Sequence, residues 1–558
     1  MIPVLIALIL ILIISGIGLL SLYIEKYSYS KEQYDLNTYF EVSQNDAVAL
    51  LMKNELIATK GKYYQNQVYL PYDYAIENIN SRLYYDDVEG LLIYTTPTQI
   101  IESQVGASEE SVDGVAQALD YQISILSDGI LYISTNYLKK YSNFSIEYFE
   151  QPSRACIQNQ WGKTTIATIQ KETAVRYQGG VKSKVLRSLA KDEDVKILEK
   201  LENWSKIMTK DGFIGYVENK RLKDERQVEE TPVLEVANQD YTSMKKDTKI
   251  NLVWNLITNA SANGNVSAML DKTKSVNVVS PTWYRLSDNQ GGMESLVSTD
   301  YINAMHQRGV EVWALLDNFT YDIDTTAVLT STKTRRVIIQ TLVDSVKQNG
   351  IDGINVDFEL VPNEAGPAYV QFMRELSVYC RKEGIILSVD IFPPSEYTAH
   401  YNLKELGIVT DYVIIMGYNE HYKGGGKIGP VASINFVEKG IADTVAVVPS
   451  EKVINALPFY AVIWKTSDVI NAEAVSMAGA KQFVADQGLT PTWDEVNCYQ
   501  YVTVNKDNVN YELWIEDEQS IGTKLNVMSN YQIAGVAAWR LGQETPQVWD
   551  VIEQYMNQ

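Results

Sequence analysis

The sequence predicts a multidomain chain: an N-terminal transmembrane helix, a small α+β module, a small strand-rich β-barrel, and a C-terminal (β/α)8 barrel carrying an α+β insertion. Three observations predict it. An almost unbroken apolar run opens the chain, tyrosine-rich segments with short alternations and frequent turn signals follow to Lys223, and from Lys249 apolar strands alternate with helical patterns. At 558 residues, and with domains of about 150 residues as the norm, length alone argues for several domains. The 48 basic and 70 acidic residues leave a net charge of −22, which disfavours nucleic acid or an anionic lipid surface as the main partner. Cys156, Cys380 and Cys498 are too few and too scattered for a disulfide framework, and His306, His400 and His421 form no metal-ligand spacing. Neither a metal site nor a cofactor is expected.

Residues 2–23 carry no charge and are long enough, at about 1.5 Å per residue, to cross a hydrocarbon core of about 30 Å. No A-x-A-like cleavage site follows and the run exceeds a usual signal h-region, so residues 1–24 are expected to be a single-pass anchor. No Lys or Arg precedes the span, while Lys26 and Lys31 follow it. The charge rule alone therefore does not place the rest of the chain outside.

Residues 28–160 read as short strands, such as 67–71 and 129–134, separated by helices such as 73–83. The stretch resembles the small module named after the N-terminal domain of copper amine oxidases, a resemblance that carries no chemistry. In residues 163–223 five short strands recur at 174–177, 185–186, 195–198, 204–208 and 213–217, with turn signals Gly179-Gly180 and Lys210-Asp211-Gly212 between them. The runs Trp204-Ser205-Lys206-Ile207 and Gly212-Phe213-Ile214-Gly215-Tyr216-Val217 resemble bacterial SH3-like domains. Such domains accompany cell-wall enzymes and often bind wall peptides; a spacer that binds nothing is the alternative. The charged residues 224–248 lack apolar periodicity and are expected to link this region to the last domain, 249–558.

In that last domain candidate strands lie at 251–257, 276–281, 310–316, 353–359, 385–391, 412–418, 453–459 and 533–539, with helical spacing between them at 298–308 and 334–348. Eight such strands fit a (β/α)8 barrel, which puts chemistry at the C-terminal ends of its strands. Residues from about 465 to 530 are too many for a loop and are expected to form an inserted α+β lobe walling a cleft.

The fourth strand carries the chemistry. In Asp352-Gly353-Ile354-Asn355-Val356-Asp357-Phe358-Glu359, the period of two puts Asn355, Asp357 and Glu359 on one face and Ile354, Val356 and Phe358 on the other. Asp357 and Glu359 then have Cα atoms roughly 6.6 Å apart, close enough for one charge to keep the other acid protonated and able to donate. Ordinary polar residues closing a strand are the plain alternative for the two acids alone. The full pattern resembles the DGxDxDxE signature of family 18 glycoside hydrolases, the chitinase-like group, with Asn355 where the family has a third Asp.

The resemblance implies an acid/base role for Glu359 and orientation of a substrate acetamido group by Asp357. Met416-Gly417-Tyr418-Asn419 resembles the family's M-x-Y-D segment, with Asn419 replacing an Asp, and implies that Tyr418 bonds the acetamido carbonyl. Ala537-Ala538-Trp539 resembles the site of a Trp beneath the bound sugar, where an aromatic face suits a pyranose. Asp317 and Asn318, ending the third strand, are candidate cleft residues with Asn355, Asn419 and Trp539. Trp283 is expected in the core, His421 outside the chemistry, and Asp352, of opposite parity, in a structural role. Trp514 and Glu516 read as a cleft wall or, more plainly, an acidic solvated edge.

Together these resemblances imply a retaining, substrate-assisted glycosidase in which the substrate's own acetamido oxygen attacks the anomeric carbon. The implied substrate is N-acetylglucosamine-containing glycan, and the anchor with an SH3-like region favours peptidoglycan over chitin. The Asn355 pattern also resembles the spore cortex-lytic and cell-wall glucosaminidase branch. The expected setting is the cell membrane, with a monomeric chain facing the wall or spore envelope. A glycan-binding barrel without activity, a chitinase, and an envelope scaffold are the alternatives. Asn355 can donate a hydrogen bond to Asp357 but cannot take its proton, so an altered pH dependence is expected.

Overall fold

The computed structural model of the chain describes residues 2–42, 46–232, 236 and 239–558. Its first element is the helix Ile2–Tyr27, exposed throughout and long and apolar enough to cross a membrane. The chain then divides into two compact units, Met1–Leu83 with Ser103–Asn238, and Tyr84–Glu102 with Gln239–Gln558.

In the first unit one mixed sheet runs in the order 145–149, 154–158, 47–52, 55–64, 67–71, 130–134, 124–127, with short helices Tyr72–Asn78 and Thr135–Tyr141. A second, antiparallel sheet contains the five strands expected from residues 174–217 and is extended by Gly162–Ile169 and then Leu222–Glu230 at one edge. That last strand corrects the sequence reading, which had the connector start at 224. None of its nine residues is buried, so no apolar alternation marks it, and it is held by backbone pairing. Within the rest of the expected linker, residues 233–235, 237 and 238 lie outside the described residues.

The second unit is built on eight parallel strands: β1 (Ile250–Asn255), β2 (Val278–Pro281), β3 (Glu311–Asp317), β4 (Gly353–Asp357), β5 (Ile386–Ile391), β6 (Tyr412–Ile415), β7 (Val453–Pro458) and β8 (Gly535–Trp539). Each pairs with the next, and β8 returns to β1 through Ile250 opposite Gly535, so the barrel is closed. A Cβ at Gly535 would lie 2.0 Å from the Ile250 carbonyl oxygen. Only glycine lets the strands close there.

Tyr84–Glu102 belongs to this unit, although the sequence placed it inside the module 28–160. Tyr84, Leu91 and Ile93 join the barrel's apolar cluster. The Asp86 carboxylate accepts the Thr332 N–H (2.7 Å) at the start of helix Thr332–Asn349. Behind it, the fully buried Arg335 forms a two-point pair with Glu375 at 3.0 and 3.1 Å, and Gln371 bonds Thr95 at 3.0 Å. Contacts of this kind come from distant sequence positions and leave no local pattern.

The inserted lobe is a five-stranded antiparallel sheet with helix Met477–Asp486, spanning Tyr460 to Ile515 rather than 465–530. Helix Glu518–Tyr531 returns to the barrel, because Ile521, Leu525 and Met528 fall on one face and bury there. Glu516 is not a solvated edge: it is fully buried and pairs with Lys524 at 2.9 Å, with the Tyr499 hydroxyl donating at 2.5 Å. Trp514 is half-buried, its indole N–H donating to Asp494 at 3.0 Å.

Candidate active site

Strand β4 sits with every residue buried. Its first residue must be glycine, since a Cβ at Gly353 would meet the Trp313 ring at 2.7 Å. The alternation read from the sequence holds: Phe358 turns outward and stacks on Phe372 of helix Gly366–Glu383 (centroids 5.6 Å apart), while Asn355 and Asp357 face the interior. Asp352 lies at the opposite end, accepting the Val312 N–H and contacting His306 Nε2, both at 2.8 Å. It serves the barrel rather than the cleft.

Asn355 is wholly buried and fully engaged. Its oxygen accepts from Trp254 Nε1 (2.9 Å) and Ser280 Oγ (3.0 Å), and its amide donates to Ser388 Oγ (3.1 Å) and Asp390 Oδ1 (2.8 Å). This changes two expectations. Asn355 donates to Asp390 rather than to Asp357, and with every polar position satisfied below the cleft it has none left for substrate.

Asp357 ends β4 and is only 7 % exposed, with Oδ1 lacking any hydrogen-bond partner among the described residues. Burial pushes its carboxyl well above the usual range, and the charges of Asp390, Glu359 and Asp317 add to that. Asp390 is likewise raised by burial, opposed by the Asn355 hydrogen bond.

Glu359 lies two residues past the strand and is half-buried. Burial and then the charge of Asp317 raise its carboxyl. Its peptide is clamped: the Glu359 N–H donates to Asn318 Oδ1 and its carbonyl accepts from Asn318 Nδ2, each at 3.0 Å. On the far side Tyr401 Oη accepts the Val361 N–H (3.1 Å) and donates to the Phe358 carbonyl (3.3 Å). Leu360, between them, has φ +51° and is exposed.

The other sequence-predicted residues fall at strand ends as expected, with different partners. Asp317 is buried and held by Arg285 at 2.8 and 3.1 Å, so it acts on Glu359 through its field. Tyr418, beyond β6, is 6 % exposed and faces Tyr460 of the lobe at 6.2 Å between centroids. Asn419 accepts from Tyr460 Oη at 2.5 Å, tying the β6 loop to the lobe. Trp539 is half-buried beside Trp254, centroids 6.0 Å apart. Trp283 is core, its indole N–H donating to Asn263 at 2.8 Å, and His421 contacts the Pro430 carbonyl at 2.9 Å in its own loop.

Sequence reasoning missed Asp390, Tyr401, Tyr460 and Trp254. Asp390 had a signal: within Ser388-Val389-Asp390-Ile391 a charged residue interrupts an apolar strand on the same parity as Ser388. Tyr321, Tyr397 and Tyr422, all exposed on loops after β3, β5 and β6, were also passed over.

Similarity to known proteins agrees with this geometry. Residues 302–544 match the family described as Glycosyl hydrolases family 18. The chain is 26% identical over 267 residues to the uncharacterized glycosylase YvbX of Bacillus subtilis, covering 46% of this chain and 77% of that protein. It is 25% identical over 259 residues to the cortical fragment-lytic enzyme of the same organism, covering 43% of this chain and 58% of the relative. The chain thus spans less than two thirds of that second protein. A solved chitinase from Chromobacterium violaceum shares the fold, with a TM-score of 0.50 at 22% identity, over 56% of this chain and 99% of the chitinase. The closed eight-stranded barrel and the acids at its C-terminal mouth agree with the match of residues 302–544 to the family 18 glycosyl hydrolases.

Proposed function

We propose that this chain is a membrane-anchored glycosidase that cleaves N-acetylglucosamine linkages in peptidoglycan outside the cell, with Glu359 as its acid/base. One observation carries the reading: Glu359 is a half-buried acid at the mouth, its carboxyl raised from its ordinary value by burial and the charge of Asp317, on a turn clamped by Asn318 and Tyr401. A carboxyl so raised stays protonated nearer neutral pH and can protonate a leaving oxygen. Its conjugate base then takes a proton from the attacking water.

The neighbouring acids do not suit a nucleophile. Asp357 and Asp390 are buried, and Asp317 is committed to Arg285. That arrangement favours attack by the substrate's own acetamido oxygen, with Asp357 orienting the amide and Tyr418 bonding its carbonyl. Trp539 and the exposed aromatic residues of the mouth offer faces for sugar rings.

The anchor role of Ile2–Tyr27 and the relatives named as cortical fragment-lytic enzymes favour a wall or spore-envelope substrate over chitin. Digestion of purified peptidoglycan, followed by mass spectrometry of the released fragments, tests the reading. N-acetylglucosamine at the new reducing ends supports it, N-acetylmuramic acid there changes the bond assigned, and intact glycan contradicts it. Carbonate-resistant membrane association lost on deleting residues 2–27 tests the anchor.

A further inference from the structure

We propose that Asp390 is a positioning residue that holds one proton in common with Asp357, supplying from β5 the acid that Asn355 leaves out of β4. The inference rests on the glycosidase reading above and adds to it a residue outside the stretch Asp352–Glu359.

The geometry begins with register. Val356 of β4 pairs with Val389 of β5, so the next residues, Asp357 and Asp390, stand side by side on strands about 4.8 Å apart. Both face the interior, as the bonds from Asn355 to Ser388 and Asp390 require. Asn355 anchors Asp390 through Oδ1 at 2.8 Å. Asp357 Oδ1, buried and without a hydrogen-bond partner among the described residues, is free to take up or offer a proton.

Two carboxyls packed this way do not ionise together. The groups around them do not relieve the charge. Glu359 bears on both from just beyond β4, and Asp317 bears on Asp357 from β3. The phenols of Tyr369, on the helix Gly366–Glu383, and Tyr418, beyond β6, lie close enough to feel both acids. Trp254 and Asn355 supply hydrogen bonds without charge, and the cation Arg285 is held by Asp317.

The proton count is simple. At rest one proton lies between Asp357 and Asp390. When Asp357 turns toward Glu359 and the substrate amide it carries that proton, leaving Asp390 a carboxylate held by the Asn355 amide. When Asp357 returns the proton is shared again, so no net proton is gained or lost, and Glu359 exchanges its own proton separately.

Infrared difference titration of the full chain in detergent micelles reads the protonated buried carboxyl directly. Asp390→Asn is expected to lower the midpoint of that band by about one pH unit or more, because a like charge is lost. The exchange Asn355→Asp with Asp390→Asn keeps an amide bonded to a carboxylate and returns an acid beside Asp357, so the midpoint is expected to recover. An unmoved midpoint in folded Asp390→Asn overturns the proposal. Should Asp390→Asn fail to fold, the exchange variant decides: a wild-type midpoint supports the shared proton and a lowered one overturns it. The alkaline limb of kcat/KM on peptidoglycan should follow the same shifts. If the wild-type chain cuts no glycan, the glycosidase reading falls while the midpoints still decide the shared proton.

Discussion

Asn318 is the residue through which a single truncation should separate catalysis from folding. Its side-chain amide makes two 3.0 Å bonds to the Glu359 peptide and one of 3.1 Å to Thr325. Each such bond contributes about 0.5–1.5 kcal/mol net, so Asn318→Ala should cost about 1.5–4.5 kcal/mol of barrel stability and leave the chain folded. The larger effect is geometric. Freed from its clamp, the Glu359 turn drifts, and a misplacement of about 1 Å at a reacting group costs on the order of 100-fold in rate. We expect kcat on a soluble muropeptide to fall about 10- to 100-fold with KM within about threefold, because Asn318 acts on Glu359 rather than on the sugar. Asn318→Asp keeps the acceptor for the Glu359 N–H, loses the donor and adds a negative charge. That charge raises Glu359 further, so the alkaline limb of activity moves to higher pH. Wild-type kcat in a folded Asn318→Ala protein would refute the reasoning.

Three other outcomes follow from the same contacts. Asp317→Asn removes the charge that helps raise Glu359 and leaves Arg285 uncompensated, so Glu359 loses its proton at lower pH and the alkaline limb of the pH–rate profile moves down. Asp357 and Asp390 together hold a proton that the unfolded chain has released above about pH 4. Stability contributed by these groups therefore falls as pH rises from there through their folded values, and Asp357→Asn should raise Tm at pH 7 while leaving it nearly unchanged at pH 4, as read by calorimetry. Glu375→Leu strands the buried Arg335 guanidinium and should cost about 3–5 kcal/mol in denaturant unfolding.

The barrel was legible because its strands are apolar runs at regular spacing, and all eight lie within a few residues of where alternation put them. Parity alone placed Asn355 and Asp357 inward and Phe358 outward. What parity cannot carry is the neighbour on the next strand. Asn355 bonds Asp390, not Asp357, because register across β4 and β5 sets the pair, and register is fixed by the closed barrel rather than by either strand. Asp317 and Asn318 were visible as polar residues ending a strand. Their work, holding Arg285 and the Glu359 peptide, depends on loops more than 30 residues away. The segment Tyr84–Glu102 and the strand Leu222–Glu230 escaped for related reasons. One is held by side chains from the barrel, and the other is a polar strand paired through its backbone.

The most direct measurement of the central claim is mass spectrometry of purified peptidoglycan after incubation with the wild-type chain and with Glu359→Gln. The account predicts new N-acetylglucosamine reducing ends from the wild type and none above background from Glu359→Gln, whose fold and glycan binding persist. Equal release by both proteins would contradict it.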